Sequence, residues 1–125
     1  MKIEKANKAF ASLSQETRLK VFKILVEYGP TGTPAGVISD RLDIPHNTLS
    51  FHLSHMSDAG LVASKRAGRS IIYSANFAFV QQLIRFMVEN CCTADFASLQ
   101  ADKKRGCDVI ELTDCCSPKK KGKKP

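Results

Sequence analysis

Residues 45–60, PHNTLSFHLSHMSDAG, constrain the fold of this chain more than any other stretch. Pro45 suits a helix entry, because the donor it lacks is one the first turn leaves unpaired, and Gly60 suits an exit through a left-handed residue. Between them Leu49, Leu53 and Met56 recur at helical spacing and form a narrow inward stripe. The outward side keeps His46, Asn47, Ser50, Phe51 and Ser54, which carry almost no charge and many hydrogen-bonding groups. Just upstream, Thr33 reads as an N-cap and Pro34 as a first-turn proline for a short helix bearing Ala35, Ile38 and Leu42 and ending at Asp43. Two helices joined by so short a turn form a helix-turn-helix, whose second helix can enter a DNA major groove, although such pairs also occur in many all-helical proteins.

The downstream flank favours the DNA-binding reading. LVASK at 61–65 and SIIYS at 70–74 are β-prone runs around Arg66, Ala67, Gly68 and Arg69, and a glycine-containing link of that length predicts a hairpin. The hairpin carries Lys65, Arg66 and Arg69 and no acid. A helix-turn-helix followed by a basic hairpin is a winged helix, with the wing on the phosphate backbone or in the minor groove. The blander alternative is a hairpin tip with ordinary solvated cations. The predicted fold class is mainly α with a small β-hairpin wing, a winged helix-turn-helix.

The remaining helices point to a partner. Ile3, Ala6, Phe10 and Leu13 give the first helix an apolar stripe able to lie against a second subunit. Ser14 reads as the N-cap of a second helix reaching about Tyr28, where Gly29 and Pro30 stop it. Leu19, Phe22, Ile24, Leu25 and Val26 make that helix apolar nearly all round, as expected of a central core helix. Asn76 can cap a last helix running from 77 to about 91, whose Phe79, Val80, Leu83, Ile84, Phe86, Met87 and Val88 exceed what one small domain buries. A C2 homodimer through the first and last helices would cover that surface and present two recognition helices to a two-fold operator. Residues 1–92 are thus expected to be a DNA-binding and dimerisation domain. Residues 93–125, which show no sustained period, are expected to be a cysteine-containing extension ending in a basic, disordered tail.

These pieces carry a family resemblance. SLSQETRLKVFKIL around the second helix, HNTLSFHLSHMSDAGLV for the recognition helix and KRAGRSIIYSA for the wing are similar to the ArsR/SmtB family of metal-responsive repressors. The resemblance spans roughly residues 5–92. It implies a homodimeric winged-helix repressor that binds an operator when empty and releases it when a thiophilic or borderline metal ion binds. On the recognition helix, His46, Asn47, Thr48 and Ser50 are the candidates for base edges and nearby phosphates, and Phe51 for a thymine methyl. Lys65, Arg66 and Arg69 are the candidates for phosphates, while His52 and His55 read as DNA-facing or solvated rather than as metal ligands.

Composition narrows the setting. Of the formal net charge of +7, five come from Lys119, Lys120, Lys121, Lys123 and Lys124, so the tail holds most of it; it reads first as a solvated tail, with added non-specific attraction for nucleic acid as the alternative. No run approaches a membrane span and no apolar signal segment opens the chain, so a cytoplasmic protein is expected. No P-loop, G-x-S-x-G or H-E-x-x-H motif gives catalysis a starting point, and no enzyme is expected.

The inducer must be argued from the cysteines. All five, Cys91, Cys92, Cys107, Cys115 and Cys116, lie in the last third, and an odd count without an export signal argues for reduced thiols. Cys91 and Cys92 are adjacent, and two neighbouring thiolates can share one soft ion. Cys107 is a third donor, its thiolate favoured by Lys103, Lys104 and Arg105 and opposed by Asp108. Three sulfurs without histidine fit trivalent arsenic, As(III), or antimony, Sb(III). Zinc is the runner-up, since it takes four ligands in a tetrahedron and no C-x2-C occurs, though Cys115 and Cys116 can complete a four-sulfur set.

The family pattern is departed from in two places. Residues 35–42 lack the Cys-Val-Cys of the best-known arsenic-binding members, and the last helix offers Asn76, Gln81, Gln82 and Glu89 where zinc, nickel and cobalt sensors place their ligands. The ENCC end at 89–92 resembles members with an arsenic site at the C-terminal side of the dimer helix. Competing readings are a buried structural Cys91, a Cys91–Cys107 redox switch, a DNA-packing protein and, from another class, an arsenic-handling thiol carrier or enzyme.

Overall fold

In the computed structural model, residues 1–90 are described; all five cysteines and the basic tail lie outside them. The first helix, α1, spans Ile3–Leu13 and buries only small side chains, Ala6, Ala9 and Ser12, which lets it lie close on the core. Ile3 stays 68% exposed and Phe10 39%. Ser14 closes this helix instead of opening the next. Its backbone is helical (φ −76, ψ −5) and its hydroxyl donates to the Ala11 carbonyl at 2.8 Å. An N-cap needs extended backbone, and Gln15 has it, so Gln15 Oε1 accepts from the Arg18 amide at 2.9 Å and starts α2, Glu16–Tyr28.

Helix α2 is not apolar on all sides. Val21, Ile24 and Leu25 are buried, whereas Leu19 and Val26 are 47% and 38% exposed. The latter two are seven residues apart, share one face and point away from the core.

After one 3-10 turn at Gly29–Thr31 comes a two-residue strand, β1, Thr33–Pro34. Thr33 therefore pairs in a sheet rather than capping a helix, and Pro34 (φ −71, ψ 155) is the extended residue before α3, Ala35–Leu42, not part of its first turn. Asp43 (φ 54) ends α3 in the left-handed region, and Pro45 precedes α4, His46–Asp58. Gly60 (φ +89) then closes α4, with Leu61 N–H bonded to the Met56 carbonyl and Gly60 N–H to that of Ser57, both at 3.0 Å.

The wing is β2, Val62–Ala67, and β3, Ser70–Ala75. It is longer than expected. Arg66 and Ala67 belong to β2, the pairing runs from Val62 opposite Ala75 to Ala67 opposite Ser70, and only Gly68 and Arg69 form the turn. Gly68 (φ +66) supplies the positive φ that such a tight hairpin needs at its first central position. β1 pairs antiparallel with β3, giving the order β1-β3-β2.

Gly32 leads into β1 at φ +74, and a Cβ there would overlap the Tyr73 carbonyl oxygen and press on Ile72. Gly32→Ala is expected to cost about 1–3 kcal/mol, from the left-handed backbone and the displaced strand together. Urea unfolding followed by circular dichroism checks it; an unchanged midpoint would show that β1 is not held to β3 as described.

The last helix, α5, spans Phe77–Val88, and Asn76 Oδ1 accepts from the Phe79 amide at 3.2 Å. It stops short of the expected 91, and Asn90 already lies at φ 66 in the left-handed region. Phe79 and Leu83 are its buried residues; Met87 is 54% exposed. The core runs through Leu25, Ile38, Leu49, Leu53, Met56 and Leu61, all essentially inaccessible to solvent. No helix among the described residues is long and apolar enough to cross a membrane.

Candidate nucleic-acid interface

The helix pair α3–α4 is fixed by the tight turn at Asp43, Ile44 and Pro45, where Ile44 N–H reaches back to the Ser39 carbonyl at 3.2 Å. This leaves α4 with two unlike sides. Leu49, His52, Leu53 and Met56 are buried. His46, Asn47, Thr48, Ser50, Phe51 and Ser54 are exposed. The six form one uncharged, hydrogen-bonding strip with one aromatic in it. Phe51, at 65% exposure, makes a T-shaped contact with the His52 ring, with centroids 5.9 Å apart. His46 leans over the first turn of α3, its Nε2 3.8 Å from where a Cβ on Gly36 would lie.

Lys65, Arg66 and Arg69 are exposed on the wing. Between Ile44 and Val88 the only acid is Asp58, at the far end of α4 from His46, so the strip and the wing share a field that favours an anion. Arg41, although on α3, is held by Glu27 at 2.9 Å. An uncharged polar helix face beside a cationic hairpin can read base edges and hold phosphates, the division of labour that DNA recognition requires.

One expectation for α4 is corrected. His52 does not face outward with the reading strip: it is only 9% exposed, its Nδ1 3.4 Å from Arg18 Nη1. His55 is exposed, as expected of a solvated side chain, but its Nδ1 lies 3.0 Å from the Ser12 hydroxyl of α1. The clue was available, since position 52 falls at helical spacing between Leu49 and Met56 and so within the apolar stripe. Arg18 and Ser12 carried no comparable signal, because nothing local ties residues 12 and 18 to 52 and 55. Burial, then the charge of Arg18, then His55, hold the His52 imidazole below the ordinary 6.5.

Among the described residues no three histidine, cysteine or acidic side chains come together as a metal site. The candidate ligands Cys91, Cys92 and Cys107, and the additional Cys115 and Cys116, lie outside those residues.

Comparison with known proteins agrees with this arrangement. A Helix-turn-helix domain family model matches residues 13–65. The Transcriptional repressor SdpR of Bacillus subtilis is 30% identical over 82 residues, covering 66% of this chain and 88% of that protein. An uncharacterized HTH-type transcriptional regulator of Methanocaldococcus jannaschii is 32% identical over 88 residues, covering 70% and 97%. Among solved structures, an ArsR-like transcriptional regulator from Rhodococcus superposes with a TM-score of 0.63 at 29% identity, over 81% of this chain and 92% of that one. The homodimeric winged helix-turn-helix domain of a possible ArsR-family regulator from Mycobacterium bovis superposes with a TM-score of 0.58 at 18% identity, over 78% and 85%, a likeness of fold.

Proposed function

Since the chain belongs to the ArsR-like helix-turn-helix transcriptional regulators, we propose that it is a homodimeric repressor that reads an operator with α4, grips the flanking phosphates with its wing, and lets go when As(III) or Sb(III) binds cysteine thiolates. The observation that carries the DNA-binding part is the exposed strip His46, Asn47, Thr48, Ser50 and Phe51 beside Lys65, Arg66 and Arg69. Dimerisation is supported by Ile3 and Phe10 on α1 and Met87 on α5, large apolar side chains left exposed in a single copy. A second copy covers them and supplies the second reading helix that a two-fold operator needs. Repression is what the name of the Bacillus subtilis relative states of that protein.

The inducer rests on donor chemistry. Cys91, Cys92 and Cys107 give three sulfurs, the number trivalent arsenic or antimony takes, and soft thiolates select soft centres. Release requires the ion to bind the DNA-free dimer more tightly than the DNA-bound one, a coupling of typically ~1–3 kcal/mol.

Fluorescence anisotropy of a labelled fragment from the gene's own upstream region, in reductant, tests the whole reading. Arsenite is expected to release the operator at near-stoichiometric ion, with zinc inert, and Cys91→Ser to abolish that release without changing DNA affinity. Release by zinc instead would move the site to a four-sulfur set, and release by peroxide alone to a redox switch. Full induction of the Cys91→Ser protein by arsenite would overturn the cysteine assignment.

A further inference from the structure

Ser12, Arg18, His52 and His55 form a polar cluster that takes no part in the DNA-facing strip. Arg18 Nε donates to the Ser12 carbonyl at 2.7 Å, while its Nη1 lies 3.4 Å from His52 Nδ1. The Ser12 hydroxyl, fully buried, sits 3.0 Å from His55 Nδ1. One guanidinium on α2 thus grips the last turn of α1 and the inner side of α4 at the same time.

The chemistry of that grip fixes a protonation state. Guanidinium nitrogens only donate, so the His52 nitrogen facing Arg18 must accept, and the proton of the neutral ring resides on Nε2. A cationic ring would set one N–H against another and bring two positive charges together. His55 is under no such constraint, because a hydroxyl both donates and accepts.

We propose that Arg18 is a positioning residue for the reading helix: it locks α4 to α1 by holding His52 as a neutral acceptor, so that proton uptake at His52 loosens α4 while the wing stays in place. The effect on operator binding rests on the DNA-reading role given to α4 above. Of the charged and titratable groups on the elements packed against α4, those that act on the His52 ring are Arg18 of α2 and His55 of α4 itself; α1 contributes the uncharged Ser12. Because the ring is held below its ordinary 6.5 in the folded protein, the lock is complete above about 6.5 and is lost progressively as pH falls below it.

The test compares wild type, His52→Gln, whose amide oxygen accepts at any pH, and Arg18→Met. In the DNA-free protein, nitrogen-detected histidine NMR is expected to show His52 as the Nε2–H tautomer. Hydrogen-exchange protection of α4 should fall about tenfold relative to the wing between pH ~7.5 and ~5.5 in wild type, stay constant in His52→Gln, and be low at both pH values in Arg18→Met. Operator affinity should follow the same pattern, with non-specific binding unmoved. A pH dependence shared by all three proteins is not assigned to His52.

The proposal is overturned if His52 carries its proton on Nδ1, if His52→Gln keeps the wild-type pH dependence, or if Arg18→Met loosens α4 and the wing equally. A wild-type protein that binds no DNA at pH ~7.5 would sink the DNA-reading role instead, and the exchange data would still decide the lock.

Discussion

Replacing Leu53 by alanine is expected to destabilise the protein by about 3–4 kcal/mol. Leu53 sits on the inner side of α4 at 1% exposure, between Leu49 and Met56, which are fully buried. Truncation removes methyl groups from a site closed on every side, so the lost transfer free energy is joined by the cost of the cavity left behind. A domain of this size has roughly 5–15 kcal/mol in total, and such a loss leaves a measurable unfolded fraction. Urea unfolding at fixed protein concentration, necessary because a dimer's stability depends on it, should show a lower midpoint with an unchanged slope. Operator binding should decline only with the folded fraction. Ser54→Ala, one residue on and facing outward, should stay within about 0.5 kcal/mol. A loss below about 1 kcal/mol for Leu53→Ala would mean that the Leu49, Leu53 and Met56 stripe is not the core.

The second large effect is on DNA. Changing Lys65, Arg66 and Arg69 together to alanine should leave folding intact, because all three side chains are exposed. Each phosphate neutralised releases condensed counterions, and each cation removed should flatten the plot of log affinity against log salt by about 0.9. The triple change should therefore reduce the slope by nearly 3 per wing and weaken binding on the order of a hundredfold at low salt. Operator and random DNA should weaken alike, since phosphates carry no sequence information. Loss confined to the operator would instead show that the wing reads bases.

What was legible in the sequence was punctuated by residues with few conformational choices. Gly29 and Pro30 end α2, Pro45 and Gly60 bracket α4, and Asn76 opens α5, each for a local reason that no partner has to supply. The exposed strip followed at once, because a helix with Leu49, Leu53 and Met56 inside must turn Asn47, Ser50 and Phe51 out. What was not legible depends on distant pairing. Thr33 and Pro34 resemble a cap and a first turn until β3, some forty residues on, offers them a ladder. Ser14 and Gln15 compete for one cap, and only the backbone of the preceding turn decides between them. Leu19 and Val26 are as apolar as the core residues of α2 but fall on its other face. The inward turn of His52 needs Arg18, and the contact of the exposed His55 needs Ser12, and those lie on other helices.

The three-stranded sheet has a further consequence, for how the protein stays single-minded about its neighbours. A sheet edge is a template on which any extended chain can add. Here one edge is β1, where Pro34 has no N–H to offer, and the strand is two residues long. The other is β2, where Lys65 and Arg66 stand. A short, donor-poor rim on one side and a repelling cationic rim on the other leave strand-by-strand growth no foothold. The cations that attract a nucleic acid thus also keep two wings from zipping together, so crowding many copies onto one stretch of DNA need not seed aggregation.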